Sequence, residues 1–242
     1  MLNNSCYVFL MFLIYSFLGY IVEVINCSII EKRLVLNRGF CLGPYLPIYG
    51  ICCLFMGGFI VKYHNDFFTV FVMSAVVCTI IEYLTSYILE KIFKARWWDY
   101  SNRKFNLEGR VCLINSFYFG LGGVVFTYIL NPIVLHFLDS LSPLVLKILG
   151  ISLFIIFLAD LVITVKTMVE VKISTLKFKN KDITTEIRKL IRTELTKKRQ
   201  VKDNFFVRHM LRAFPNIDLG DKSNSLAKLK NYLINSKKRN KL

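Results

Sequence analysis

The sequence predicts an all-α polytopic membrane protein: about five transmembrane helices, N-terminus outside and C-terminus inside, followed by a basic helical cytoplasmic tail. Three observations carry that reading. Of the 242 residues, 55% are hydrophobic and only 20% charged, with a mean hydropathy of +0.49, which is too apolar for an ordinary soluble domain. The apolar residues gather into runs of about 20, the length that crosses a hydrocarbon layer about 30 Å thick as a helix. Charge is segregated as well: residues 166–242 hold 21 Lys and Arg against 7 Asp and Glu, which is +14 of the chain's +16.

The runs lie at 7–30, 46–63, 67–90, 111–138 and 144–165 and make residues 1–165 a transmembrane domain. The first is expected to stay in the mature protein, because no basic residue precedes it, it shows no small-residue cleavage site, and Glu23 lies within it. Orientation follows from Lys and Arg in the short connections. The connection after the first run holds Lys32, Arg33 and Arg38, and the one after the third holds Lys91, Lys94, Arg96, Arg103, Lys104 and Arg110. Lys62 stands alone between the second and third runs, and residues 139–143 carry no Lys or Arg. The two basic connections and the tail are therefore expected on the cytoplasmic side, which five spans satisfy together.

The tail, 166–242, carries amphipathic periodicity. Ile183, Ile187, Leu190, Ile191 and Leu195 share one helical face opposite a basic one, and the segments 206–214 and 226–233 repeat the pattern. Such a tail either lies on the anionic inner leaflet or docks onto a partner or the protein's own loops. Attached to a membrane body, it is not expected to bind nucleic acid. The seven cysteines are odd in number, show no CxxC, and read as buried thiols.

Three acids fall inside apolar runs: Glu23, Glu82 and Asp160. An ionised group near a helix centre costs roughly 2.5 to 3.5 kcal/mol, so such residues face a bundle interior or wet cavity. All three lie about two thirds along their spans, toward the cytoplasmic side, which predicts one polar cluster joined by Asn115 and Ser116 of the fourth span. They are either structural partners of Arg38 or Arg110, or carboxylates that contact a substrate or ion. Ser116, Gly120, Gly123 and Thr127 form a small-residue stripe suited to close helix packing.

Both basic connections are rich in aromatic residues and glycine. The first reads Asn37-Arg38-Gly39-Phe40-Cys41-Leu42-Gly43-Pro44-Tyr45-Leu46-Pro47-Ile48-Tyr49-Gly50. Its glycines and prolines deny regular helix, leaving an interface-hugging turn or a re-entrant segment whose backbone must be satisfied by protein or a cavity. The second reads Trp97-Trp98-Asp99-Tyr100-Ser101, then Asn106-Leu107-Glu108-Gly109-Arg110. Trp97 and Trp98 are expected to act as headgroup-level anchors, with ligand stacking the alternative. The chain has no P-loop, HExxH or GxSxG, and His64, His136 and His209 are scattered. No metal and no cofactor are expected.

These motifs, taken in order with Tyr15-Ser16-Phe17-Leu18-Gly19-Tyr20, Glu23 and Glu82-Tyr83, resemble a bacterial family of type IV ABC-transporter permeases. The resemblance covers about 7–132. It implies a membrane component in the bacterial cytoplasmic membrane, surrounded by lipid and served by a separate cytoplasmic ATP-binding subunit, with a homodimer as the expected assembly. Glu23 and Glu82 would line the pathway, and Arg38 and Arg110 would neutralise them or hold an anionic substrate. Asn37, Gly39, Gly43, Pro44, Pro47, Tyr49, Trp97, Trp98, Asp99 and Tyr100 would form the entrance or the docking loops. Two other classes stay open. One is a membrane enzyme acting on lipid or envelope intermediates with Glu23 or Glu82 as general base, and the other a scaffold or regulator that recruits partners through its tail.

Overall fold

The computed structural model describes residues 2–179, leaving out 33, 35, 37, 38, 94 and 95, with the backbone alone described at 2, 30, 31, 168 and 170–179. The predicted tail helices, and Asn37 and Arg38, lie outside the described residues. The architecture is helical: α1 (Leu2–Glu31), α2 (Pro47–Phe59), α3 (Phe67–Phe93), α4 (Leu113–Val125), α5 (Asn131–Asp139) and α6 (Pro143–Lys179). One two-stranded hairpin, β1 (Asn106–Leu107) and β2 (Val111–Cys112), interrupts the second basic connection, with Asn106 opposite Cys112.

Four stretches are long and apolar enough to cross a membrane: Asn3–Ile29, Phe67–Phe93, Leu113–Asp139 and Pro143–Thr167. The second predicted run, 46–63, is helical but short. Its 13 residues, Pro47–Phe59, rise about 20 Å, and the run then tightens into a 3-10 turn at Val61–Tyr63. Pro47 suits the start of α2, because a first-turn N–H has no helical acceptor to lose. Asp66 opens α3: its carboxylate accepts from the backbone N–H of Phe68 at 3.0 Å and of Thr69 at 3.2 Å, two groups a helix start leaves unpaired.

Residues 113–139 form one span with a wide π turn at Phe126–Leu130. The turn lies just before Pro132, which has no N–H to donate and whose ring crowds the carbonyl four residues back, and the wider turn absorbs that misfit. The predicted glycine stripe is where α4 meets α3. A Cβ on Gly120 would fall 2.6 Å from the Phe71 ring, and one on Gly123 would fall 2.1 Å from the Ser74 Cβ. Thr79 donates to Ser116 at 2.7 Å across the same seam.

α1 and α6 run parallel, and their contacts advance in step. A Cβ on Gly150 would touch Cys6, the Phe9 ring meets Phe154, and the Phe12 ring meets Phe157. Asp160 is therefore level with the middle of α1. The interior mixes an apolar core of Leu10, Tyr15, Met56, Ile60, Val70 and Phe126 with buried Ser16, Ser74, Glu82, Ser86, Thr127, Asn131, Asp160 and Thr164, while Val22, Ile25, Ile29, Phe68, Ile155 and Ile156 face outward. Lipid is the solvent that makes this pattern stable. α6 continues past Thr167 to Lys179, giving a helix about 55 Å long.

Candidate functional site

The polar residues singled out in the sequence form three groups rather than one, spread from the bundle's middle to the end that carries both basic connections. The first is built on Asp160 of α6. Its carboxylate accepts from the backbone N–H of Leu42 at 3.0 Å and of Gly43 at 2.7 Å, from the Tyr45 hydroxyl, and from the Thr164 hydroxyl at 3.0 Å. Leu46 N–H donates to the Ser16 carbonyl at 2.9 Å, and Cys41 is fully buried. Ser16 is midway along α1, so the described part of the first connection, Gly39–Leu46, re-enters to the depth of the bundle's middle. α2 begins there, which is why it is short. Two bare N–H groups at that depth need acceptors, and Asp160 supplies them.

The second group is an acidic pair. Glu82 is buried, one of a stripe on α3 with Ser74, Cys78 and Ser86 spaced four residues apart. Its Oε1 accepts from the Tyr100 hydroxyl at 3.2 Å. Glu23, half-buried on α1, accepts from the Cys27 thiol at 3.2 Å and lies within electrostatic reach of Glu82. Tyr49, at the start of α2, is within reach of both acids and packs so closely on Gly19 that a Cβ there would sit 2.3 Å from its ring. Burial, and then the Glu82 charge, hold the Tyr100 phenol well above its ordinary range, so it remains a hydrogen-bond donor.

Arg110 anchors the third group. Its Nη1 meets Glu90 at 2.5 Å and its Nε meets Glu108 at 3.1 Å, and the guanidinium lies over the Tyr87 and Tyr83 rings. Trp98 Nε1 donates to the Arg110 carbonyl at 2.9 Å, and Tyr100 N–H donates to the Gly109 carbonyl at 2.8 Å. Asp99 accepts from the Ser101 N–H at 2.9 Å and hydroxyl at 2.5 Å. Gly109 has φ +68, and a Cβ there would lie 2.4 Å from the Ser101 hydroxyl and 2.5 Å from Asp99, so the turn requires glycine.

Several expectations change accordingly. Arg110 is not the counter-charge of Glu23 or Glu82, because it pairs with Glu90 of α3 and Glu108 of the hairpin. Asp160 does not join the acidic pair, since the re-entrant segment occupies its carboxylate. Asn115 is half-buried and is not a hydrogen-bond partner of any of the three acids among the described residues. Trp97 is buried against Phe40 and Phe93, with ring centroids 6.0 and 5.5 Å away, which is core packing rather than a headgroup anchor. Trp98 is half-buried and spends its N–H on the hairpin. The sequence reading missed Tyr45 and Glu90 as latch residues. Glu90 was accessible from its spacing eight residues beyond Glu82, whereas nothing local marks Tyr45, whose partner is 115 positions away.

Comparison with curated proteins and with solved structures yields no match. A match is found at the level of families: residues 10–165, well over half of the chain and all three groups of the site, fit the family described as "Putative ABC-transporter type IV". The chain belongs to that family.

Proposed function

We propose that this chain is the membrane-embedded subunit of an ABC transporter in the bacterial cytoplasmic membrane, working with a separate cytoplasmic ATPase. The observation that carries this reading is the family match across residues 10–165, joined to four membrane-length helices and to a sequence without a P-loop of its own. The Lys and Arg counts favour placing the basic end in the cytoplasm. The hairpin there exposes Arg103, Lys104 and Phe105, which gives an ATPase a charged loop to hold. Glu23 and Glu82 are the residues of the pathway in this reading, and the outward apolar side of α6 has room for a second copy of the chain.

The test is gentle extraction of a tagged copy from native membranes, followed by mass spectrometry of copurifying proteins with and without ATP. The reading predicts an ATP-binding subunit in stoichiometric yield, released when the hairpin is altered by Arg103→Glu with Lys104→Glu. Repeated recovery of the chain without an ATPase would contradict it.

A further inference from the structure

The acidic pair has a specific chemical deficit. Glu82 is 7% exposed, and no group of the described residues hydrogen-bonds to its Oε2. If the carboxyl is ionised, Oε2 is an orphaned acceptor; if it carries the proton there, the O–H is an orphaned donor. Either state leaves a buried polar atom unpaired at a cost of about 1–3 kcal/mol, more when charged, so protonation alone does not cure it. Glu23 adds a second carboxylate within electrostatic reach. Arg110 is held by Glu90 and Glu108.

We propose that Glu23 and Glu82, closed in by Tyr49 and Tyr100, form a binding site for a single desolvated positive charge. A monovalent cation satisfies Glu82 Oε2 and neutralises one carboxylate of the pair, and the phenols contribute oxygens or ring faces to it. Divalent ions fit poorly. Calcium takes six to eight oxygens and magnesium a near-octahedral shell, whereas no group of three or more His, Cys, Asp or Glu among the described residues is placed to hold a metal ion. The source of the charge is an alkali cation or an organic ammonium group, both answering the same chemistry. The inference deepens the transport reading, on which it rests for its role, by giving the charge class of the cargo or coupling ion.

The experiment uses the purified full chain in detergent, without ATPase, at fixed pH and at ionic strength held constant with N-methylglucamine. Sodium, potassium and tetramethylammonium are titrated in turn. Thermal unfolding and modification of Glu82 by a hydrophobic carbodiimide, located by peptide mass spectrometry, are read in parallel. The expected result is a saturable rise in the unfolding midpoint with at least one of the three, tenfold or greater protection of Glu82 over the same range, and loss of both effects in Glu23→Gln. In Glu82→Gln the midpoint shift is lost. Response to sodium or potassium assigns an inorganic ion, and response to tetramethylammonium an organic one. If Glu82 resists the reagent throughout, the midpoints of wild type and Glu23→Gln decide. No saturable response to any of the three, or an equal response in Glu23→Gln, would overturn the site. That outcome leaves copurification of an ATPase untouched, and failure of copurification leaves cation binding standing.

Discussion

The two connections at the basic end are both latched to the helices, but by opposite chemistry. The re-entrant Gly39–Leu46 segment hangs on one buried carboxylate, Asp160, whose acceptors take up two backbone N–H groups and a phenol. The hairpin segment 96–112 hangs on one buried guanidinium, Arg110, whose partners Glu90 and Glu108 retain 33% and 58% side-chain exposure. Depth accounts for the difference. In the bundle's middle no water competes, so bare N–H groups require a protein acceptor and one carboxylate serves several. At the rim, charges remain partly hydrated, so the loop is held by ion pairs and ring contacts that are individually weaker.

That contrast ranks the consequences of breaking each latch. Asp160→Ala should have the largest effect, on the order of 3 kcal/mol or more, because it orphans several buried donors at once. Maleimide modification of the buried Cys41 should rise at least tenfold, and the protein should be less abundant in membranes. Arg110→Ala should cost about 1–3 kcal/mol, since the released Glu90 and Glu108 can rehydrate. Its signature is limited proteolysis within 99–109 with Cys41 still protected, and Arg110→Lys should restore little because the two-partner fork is lost. Gly109→Ala should cost about 1–2 kcal/mol by strain in the turn, read as faster hydrogen exchange of the Tyr100 and Arg110 amides alone.

Acid gives the mildest test of the hairpin latch. Accepting from the Ser101 hydroxyl holds the Asp99 carboxyl below its usual range, and accepting from the Tyr83 hydroxyl does the same for Glu108. Their contribution is complete above the unfolded carboxyl range and is lost as pH falls through the depressed values. The protection of the Ser101 amide, measured against its intrinsic exchange rate at each pH, should therefore fall in acid, below about pH 4. Unchanged protection of Ser101 across that range would contradict the assignment of these acids to the hairpin.

Sequence legibility divides along the same line of local against distant information. The helices were readable because apolar runs of bilayer length have one stable form. The Ser116–Thr127 stripe was readable because four-residue spacing fixes a face. Burial of Trp97 was not, since a tryptophan beside charges looks the same in sequence whether its ring meets a headgroup or Phe93. The three-way division of the polar residues was also hidden. Asp160, Glu82 and Glu23 all stand about two thirds along their apolar runs in the sequence, and only the path of residues 39–46 decides which carboxylate that segment occupies. The short α2 has the same cause, because its start is set by a hydrogen bond to Ser16 rather than by its own composition.

The most direct test of this arrangement is cross-linking of Ser16→Cys with Leu46→Cys in native membranes under mild oxidation, mapped by peptide mass spectrometry. The account predicts rapid and near-complete disulfide formation, because Leu46 N–H bonds to the Ser16 carbonyl and a disulfide needs Cα atoms within about 7 Å. A connection lying at the membrane surface beyond Glu31 would hold Leu46 about 20 Å from Ser16. Absence of the cross-link, with both cysteines shown to be reduced and present, would contradict the re-entrant segment and the polar site built around it.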